Sequence, residues 1–304
     1  MLERISEVFN SGFFSYFVYE SLKILILLFL VIFIIGFLRS YISAKKLNSW
    51  LKGKSKIVAH FVASMFGAIT PFCSCSSIPI FMGFLEARMP LGIAFSFLVT
   101  SPLVNEYLVV LMLALFGVKI TVIYVLIGIL LGVVAGIILG WMKLEKYLVK
   151  DIADRAQKIV KFRNFRERVG FGFGEAKDIT KKIFLWVIVG VFFGALIHNA
   201  VPEDFIRTAI SKAGIFGVPI ATLLGVPIYG SSAAMLPITS GLYNKGVPLG
   251  TAFAFMMAVS ALSFPEAVIL RRSMKLKLIA IFFGIVALGI IFVGYALNFV
   301  QWMV

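Results

Sequence analysis

The chain has 304 residues, of which 61% are hydrophobic and only 14% charged, with a mean hydropathy of +1.03. Such a composition excludes a soluble globular domain and predicts a polytopic membrane protein. A net charge of +15 does not signal nucleic acid here, because the basic residues sit almost wholly in three loops between apolar stretches, as the positive-inside rule expects.

Residues 1–20 are short, aromatic and partly amphipathic, and predict an interfacial segment. Residues 1–17 lack a basic leader and a small-residue cleavage site, so the helix that follows, Leu22 to Leu38, is read as retained and spanning. Arg39 to Lys56 carries six basic residues and no acid, which places that loop in the cytoplasm.

Ile57 to Ile69 and Ile78 to Leu85 are apolar arms too short to span alone. Between them lies Thr70-Pro71-Phe72-Cys73-Ser74-Cys75-Ser76-Ser77-Ile78-Pro79, which holds both cysteines of the chain. Prolines remove backbone donors and hydroxyls offer side-chain partners, so this predicts an irregular turn at membrane depth. Such backbone persists in lipid only when it is buried in protein or lines a cavity.

After Pro90 an apolar run extends to Gly117 and is broken at Thr100-Ser101-Pro102-Leu103-Val104-Asn105-Glu106; Ile120 to Trp141 is an intact span. Residues 143–182 hold twelve basic and six acidic residues, a second cytoplasmic region. Ile183 to Ala200 then runs outward to a charge-balanced loop. Ile215 to Val226 and Ala233 to Tyr243 flank the turn Pro227-Ile228-Tyr229-Gly230-Ser231-Ser232. Val247 to Leu270 is broken at Ser260–Glu266 and ends in Arg271, Arg272, Lys275 and Lys277, and the final span is Leu278 to Phe299.

With both basic regions in the cytoplasm, the chain between them must cross the membrane an even number of times. The simplest solution is a re-entrant hairpin over 57–87, a broken span over 90–117 and an intact span over 120–141. The halves also match. Met89-Pro90-Leu91-Gly92-Ile93-Ala94-Phe95-Ser96-Phe97 aligns with Val247-Pro248-Leu249-Gly250-Thr251-Ala252-Phe253-Ala254-Phe255. With small gaps, Pro71 falls on Pro227, Ser76 on Ser232, Ser101 on Ala261 and Glu106 on Glu266. The fold expected is therefore all-α and polytopic, with two inverted-topology repeats of three crossings plus a re-entrant helical hairpin each. Eight full spans would instead give parallel repeats, but the loop charges fit the inverted reading without exception. The divisions are a first repeat over 1–142, a basic connector over 143–182 and a second repeat over 183–304.

Three groups of residues in the breaks can carry chemistry. Cys73 and Cys75 lie two apart and can present both sulfurs to one guest, thiolates favouring thiophilic species such as trivalent arsenic or copper(I). Buried cysteines also act as small hydrophobes, and a close pair can instead cycle through a disulfide in a membrane-embedded thiol-disulfide protein. Glu106 and Glu266 each follow a break, where a carboxylate serves proton coupling or complements a helix dipole, with Asn105 as the local partner of Glu106. Ser74, Ser76, Ser77, Thr70, Tyr229, Ser231 and Ser232 can satisfy backbone or bind a guest.

His60 and His198 lie near opposite membrane boundaries, and Trp50, Trp141, Trp186 and Trp302 read as interface anchors. No hydrolase, metalloprotease or nucleotide-binding motif occurs, and no spacing matches a zinc site. A transporter without metal or cofactor is expected rather than an enzyme, its partners a small-molecule substrate and the lipid bilayer, with the oligomeric state open.

Thr70-Pro71-Phe72-Cys73-Ser74-Cys75-Ser76-Ser77-Ile78-Pro79, Pro90-Leu91-Gly92, Ser101-Pro102-Leu103-Val104-Asn105-Glu106 and Gly225-Val226-Pro227-Ile228-Tyr229 together resemble the YraQ/ArsP group of predicted permeases over nearly the whole chain. The resemblance implies a multi-pass permease of the inner cell membrane. One branch of the group exports trivalent organoarsenicals, and Cys73, Cys75 and Glu106 fall on its signature positions. Gly230-Ser231 stands where that branch has a further cysteine, which departs from a three-thiolate arsenic site.

Overall fold

The structure is a computed structural model that describes residues 55–69, 74–86, 89–149, 164–200, 214–228, 232–271 and 273–303, together with helical positions scattered between 18 and 37. Among the described residues there is no strand, only an isolated antiparallel bridge between Leu148 and Met274. Among the described residues three helical stretches are long and apolar enough to cross a membrane: Leu108–Trp141, Leu249–Val268 and Leu276–Phe299.

The first group of helices is α1 (Lys56–Ile69), α2 (Ser74–Glu86), α3 (Leu91–Leu103) and α4 (Glu106–Trp141). After α5 (Phe165–Ala200) come α6 (Gly217–Gly225), α7 (Ser232–Asn244), α8 (Leu249–Ala261), α9 (Phe264–Leu270) and α10 (Leu276–Met303). Local chemistry sets the boundaries. Ser55 precedes α1, its Oγ accepting from the Val58 amide at 3.4 Å. Pro90 (φ −52°, ψ 132°) and Pro248 (φ −56°, ψ 141°) stand immediately before α3 and α8, where a fixed φ and a missing donor suit a helix start. The residue before each proline folds back in the same way, Met89 N–H to the Phe84 carbonyl at 3.0 Å and Val247 N–H to the Leu242 carbonyl at 3.1 Å.

α3 and α8 are the centre of the molecule, all 13 residues of each being buried. Both carry apolar residues on every face, as a helix with no outward face does, with a few small hydroxyl residues among them. α1 and α2 pack on α3, which packs on α4; α6 and α7 pack on α8, which packs on α10. In lipid the hydrophobic effect gives helices little reason to associate, so close backbone approach at small residues carries the packing.

The glycine contacts recur at a constant interval of 158 positions, Gly225 following Gly67 (225 − 67) and Phe255 following Phe97. A Cβ on Gly67 would meet the Phe97 carbonyl oxygen at 2.9 Å and the Ser101 nitrogen at 3.2 Å. On Gly225 it would meet the Phe255 carbonyl oxygen at 2.9 Å and the Val259 nitrogen at 3.1 Å. Likewise Gly92 crosses Gly136 and Gly140, while Gly250 crosses Gly294 and Asn298.

The joint within α4 is Gly117, whose φ of +77° favours a residue without a Cβ; Thr121 Oγ1 donates to its carbonyl at 2.7 Å. In the second group residues 271–275 fill the corresponding place between α9 and α10.

The two groups meet through aromatic rings. Phe95 stacks on Phe282 and Tyr124 packs on Phe253, both with centroids 5.2 Å apart, and Phe116 lies 6.0 Å from Tyr243. A Cβ on Gly289 would run into Leu131. Outward, Val118, Val122, Leu126 and Leu130 form an exposed stripe on α4, and Leu288, Phe292 and Phe299 one on α10, surfaces suited to acyl chains.

α5 is one continuous helix across 182/183, where the sequence reading set the boundary between the connector and the second half. No proline interrupts it. Its first turns lie along the helical positions between 29 and 37, Phe173 against Phe29 and Phe165 against Phe37, each at 5.5 Å.

Candidate functional site

Four breaks separate helices that follow one another closely in the chain: Ile69/Ser74, Leu103/Glu106, Gly225/Ser232 and Ala261/Phe264. α2 packs against α9, and α7 against α4, so the second arm of each helical pair meets a helix of the opposite group that begins with an acidic first turn. Cys73, Thr70, Pro71, Tyr229 and Ser231 lie outside the described residues. Ser74, Cys75 and Ser76 form the first turn of α2, and Ser232 opens α7.

Ser77 is fully buried, its Oγ 2.6 Å from Ser101 Oγ, which fastens the cysteine-bearing helix to α3. Asn105, in extended conformation, is the N-cap of α4, its Oδ1 accepting from the Leu108 amide at 2.9 Å. Glu106 is exposed in the first turn, where a carboxylate complements the helix dipole.

Glu266 differs. It is only 2% exposed, the third residue of α9, three places after the buried Ser263 in the Ser-x-x-Glu spacing of a capping box. The alignment of Glu106 with Glu266 is corrected by backbone bonds: Val109 N–H to the Asn105 carbonyl at 3.0 Å and Ala267 N–H to the Ser263 carbonyl at 3.2 Å. These make Asn105 and Ser263 equivalents, so Glu106 corresponds to Phe264 and the buried carboxylate of Glu266 belongs to one half alone. Helix starts likewise put Ser74, not Ser76, opposite Ser232.

A polar seam that the sequence reading missed runs where α1, α3 and α4 cross. His60, read as interfacial, is 8% exposed, and its Nδ1 lies 2.8 Å from Ser96 Oγ. The Ser96 carbonyl accepts from Ser64 Oγ at 3.4 Å and Thr100 Oγ1 at 2.9 Å. Tyr124 is buried and donates its hydroxyl to the Leu103 carbonyl at 2.9 Å, satisfying a terminal carbonyl of α3. The available signal was spacing: His60 and Ser64, like Ser96 and Thr100, lie four apart on one helix face. The second half carries Val218, Thr222, Ala254 and Ala258 at these positions.

Among the described residues no group of three or more His, Cys, Asp or Glu side chains could hold a metal ion. Broken helices, satisfied hydroxyls and an interior carboxylate, set among apolar helices of bilayer length, define a helical membrane protein with a polar interior.

The chain belongs to the ArsP_1 family, described as a predicted permease, whose model matches residues 10–299. This agrees with the motif resemblance and places the protein among predicted membrane permeases. A Streptococcus mutans relative, provisionally named a two-component membrane permease complex subunit, is 25% identical over 84% of this chain and 85% of its own length. The UPF0718 protein of Methanocaldococcus jannaschii is 21% identical over 79% of this chain and 82% of its own. No solved structure matches.

Proposed function

We propose that the protein is a secondary-active permease of the inner cell membrane, moving a small thiophilic solute by alternating access between two inverted repeats, 1–142 and 183–304, joined by the connector 143–182. The observation that carries this reading is an exchange of partners. Phe282 is the equivalent of Tyr124 and Phe253 of Phe95, so the pairs Phe95–Phe282 and Tyr124–Phe253 are one contact made twice with the roles reversed. A two-fold relation generates such pairs, and Leu131 against Gly289, its own equivalent, lies where the axis would pass.

The direction of that axis follows from two points on α4 and α10. Lys275 N–H donates to the Tyr147 carbonyl at 2.9 Å, joining the segment just after α4 to the start of α10, while Leu131 meets Gly289 further along, within both helices. Helices that meet end to start, and again within both, run in opposite directions, which favours an axis in the membrane plane. α1–α2 and α6–α7 then serve as re-entrant hairpins from opposite faces.

In this arrangement Cys73 and Cys75 meet the guest, with Ser74, Ser76, Ser77, Tyr229, Ser231 and Asn105 around it. Support for a thiophilic solute is the placing of both cysteines at a helix break. Glu266 couples transport to protons; its burial supports that role over the exposed Glu106. The name of the Streptococcus mutans relative supports a second protein component as partner.

Two experiments test these points. Single cysteines introduced at Lys119 and Lys245, in a background with Cys73 and Cys75 replaced by Ser, should label from outside, and those at Lys146 and Lys275 from the cytoplasm; labelling of all four from one side would sink the inverted arrangement. Uptake of methylarsenite into inverted vesicles should be lost in Cys73→Ser and Cys75→Ser, and should lose its response to a pH gradient in Glu266→Gln but not in Glu106→Gln. Wild-type uptake by the cysteine variants would remove the thiophilic guest.

A further inference from the structure

We propose a binding site for the phosphate headgroup of an anionic phospholipid where the end of α4 meets the start of α10, built around Tyr147, Lys146 and Lys277. The Lys146 ammonium lies 5.2 Å from the centroid of the Tyr147 ring and that of Lys277 5.4 Å, so two like charges from segments far apart in sequence converge on one aromatic side chain. The two ammoniums, Lys277 foremost, draw the phenol's pKa below the ordinary tyrosine value.

The convergence is held by backbone. Leu148 bridges Met274, Val149 N–H donates to the Ser273 carbonyl at 3.1 Å and Lys275 N–H to the Tyr147 carbonyl at 2.9 Å. Lys143, Arg271 and Lys275 are exposed nearby, and across 141–149 and 271–277 the sequence has six basic residues and one acid, Glu145. Two exposed ammoniums converging on one phenol present several N–H donors to a single point, and phosphate oxygens match these donors.

Height in the bilayer selects a lipid as the source of that phosphate. Trp141 is 79% exposed and Leu276 62%, both within a turn or two of the lysines, so the cluster borders the apolar belt at headgroup level. A lipid there can place its phosphate on the lysines and its chains over Val134 and Ile138 of α4 and Leu276 of α10, the exposed apolar residues within one leaflet of the cluster.

The test uses the full chain in phosphatidylcholine vesicles with and without phosphatidylglycerol. Phosphatidylglycerol should raise the thermal unfolding temperature of the wild type by several degrees, and high salt should shrink the shift. Lys146→Gln/Lys277→Gln should lose most of it while unfolding normally in phosphatidylcholine alone, and Lys119→Gln/Lys245→Gln should keep it. Should the first pair fail to fold, native mass spectrometry of Lys277→Gln should show fewer retained phosphatidylglycerol molecules than the wild type. No difference between the two lipids, a full shift in the double variant, unchanged lipid retention, or a shift reproduced by inorganic phosphate would overturn the site. None of these readouts depends on transport.

Discussion

Tyr124 ends with its hydroxyl 2.9 Å from the Leu103 carbonyl and its ring 5.2 Å from that of Phe253. Its equivalent Phe282 has the ring without the hydroxyl and stacks on Phe95. The two halves thus share one aromatic contact but use it differently, and only the first ties a helix break to the long helix beside it. Tyr124→Phe should keep the packing and leave the Leu103 carbonyl unsatisfied, at a cost of about 1 kcal/mol. Thermal unfolding in detergent would measure the loss, and an unchanged midpoint would show that the bond contributes nothing.

The Ser77–Ser101 pair is fully buried between α2 and α3. Each single Ser→Ala change should destabilise by about 1 kcal/mol, and the double variant by less than the two together, since both single changes remove the same bond. Additive losses in the four-way cycle would contradict the bond.

At Gly92 an added Cβ would fall 2.6 Å from the Gly136 carbonyl oxygen and 2.8 Å from the Gly140 Cα, and backbone cannot step aside as a side chain can. Gly92→Ala should cost roughly 2 kcal/mol or more through separation of α3 from α4. Gly284 has nothing within 4 Å, so Gly284→Ala should be neutral or stabilising by up to about 1 kcal/mol. Equal behaviour of the two variants in unfolding assays would refute the close crossing.

Asn298 accepts from the amides of Gly250 at 2.7 Å and Thr251 at 3.2 Å, and donates to Thr251 Oγ1 at 3.1 Å. Gln301 takes the Leu249 amide at 2.7 Å, so α10 caps α8 from the side. Asn298→Leu should cost about 1–3 kcal/mol, because the Gly250 amide loses its acceptor while the Thr251 amide keeps the Pro248 carbonyl. Proteolysis should then cut first near the start of α8; an intact digestion pattern would count against this cap.

Much of the architecture is legible in the chain itself. The match of Met89–Phe97 with Val247–Phe255 has the register of the glycine crossings, because the residues that permit close approach are also the ones that make the two segments alike. The breaks announce themselves through Pro90, Pro248 and the polar clusters that follow α3 and α8. The pairing of Glu106 with Glu266 misleads for a physical reason: both are acids in a helix first turn, yet one sits at its first residue and the other at its third, a distinction held only in backbone hydrogen bonds. His60 misled similarly. A lone imidazole near a helix start reads as interfacial until the serine 36 positions away comes into view.

Gly117 and residues 271–275 are the same joint made in two ways, a single pivot in one half and a stretch of basic chain in the other. A rocking motion shared by the halves would therefore meet unequal mechanical resistance on the two sides of the membrane. Under the proposed alternating access, unequal joints would give the cycle a preferred resting state before any cargo is present.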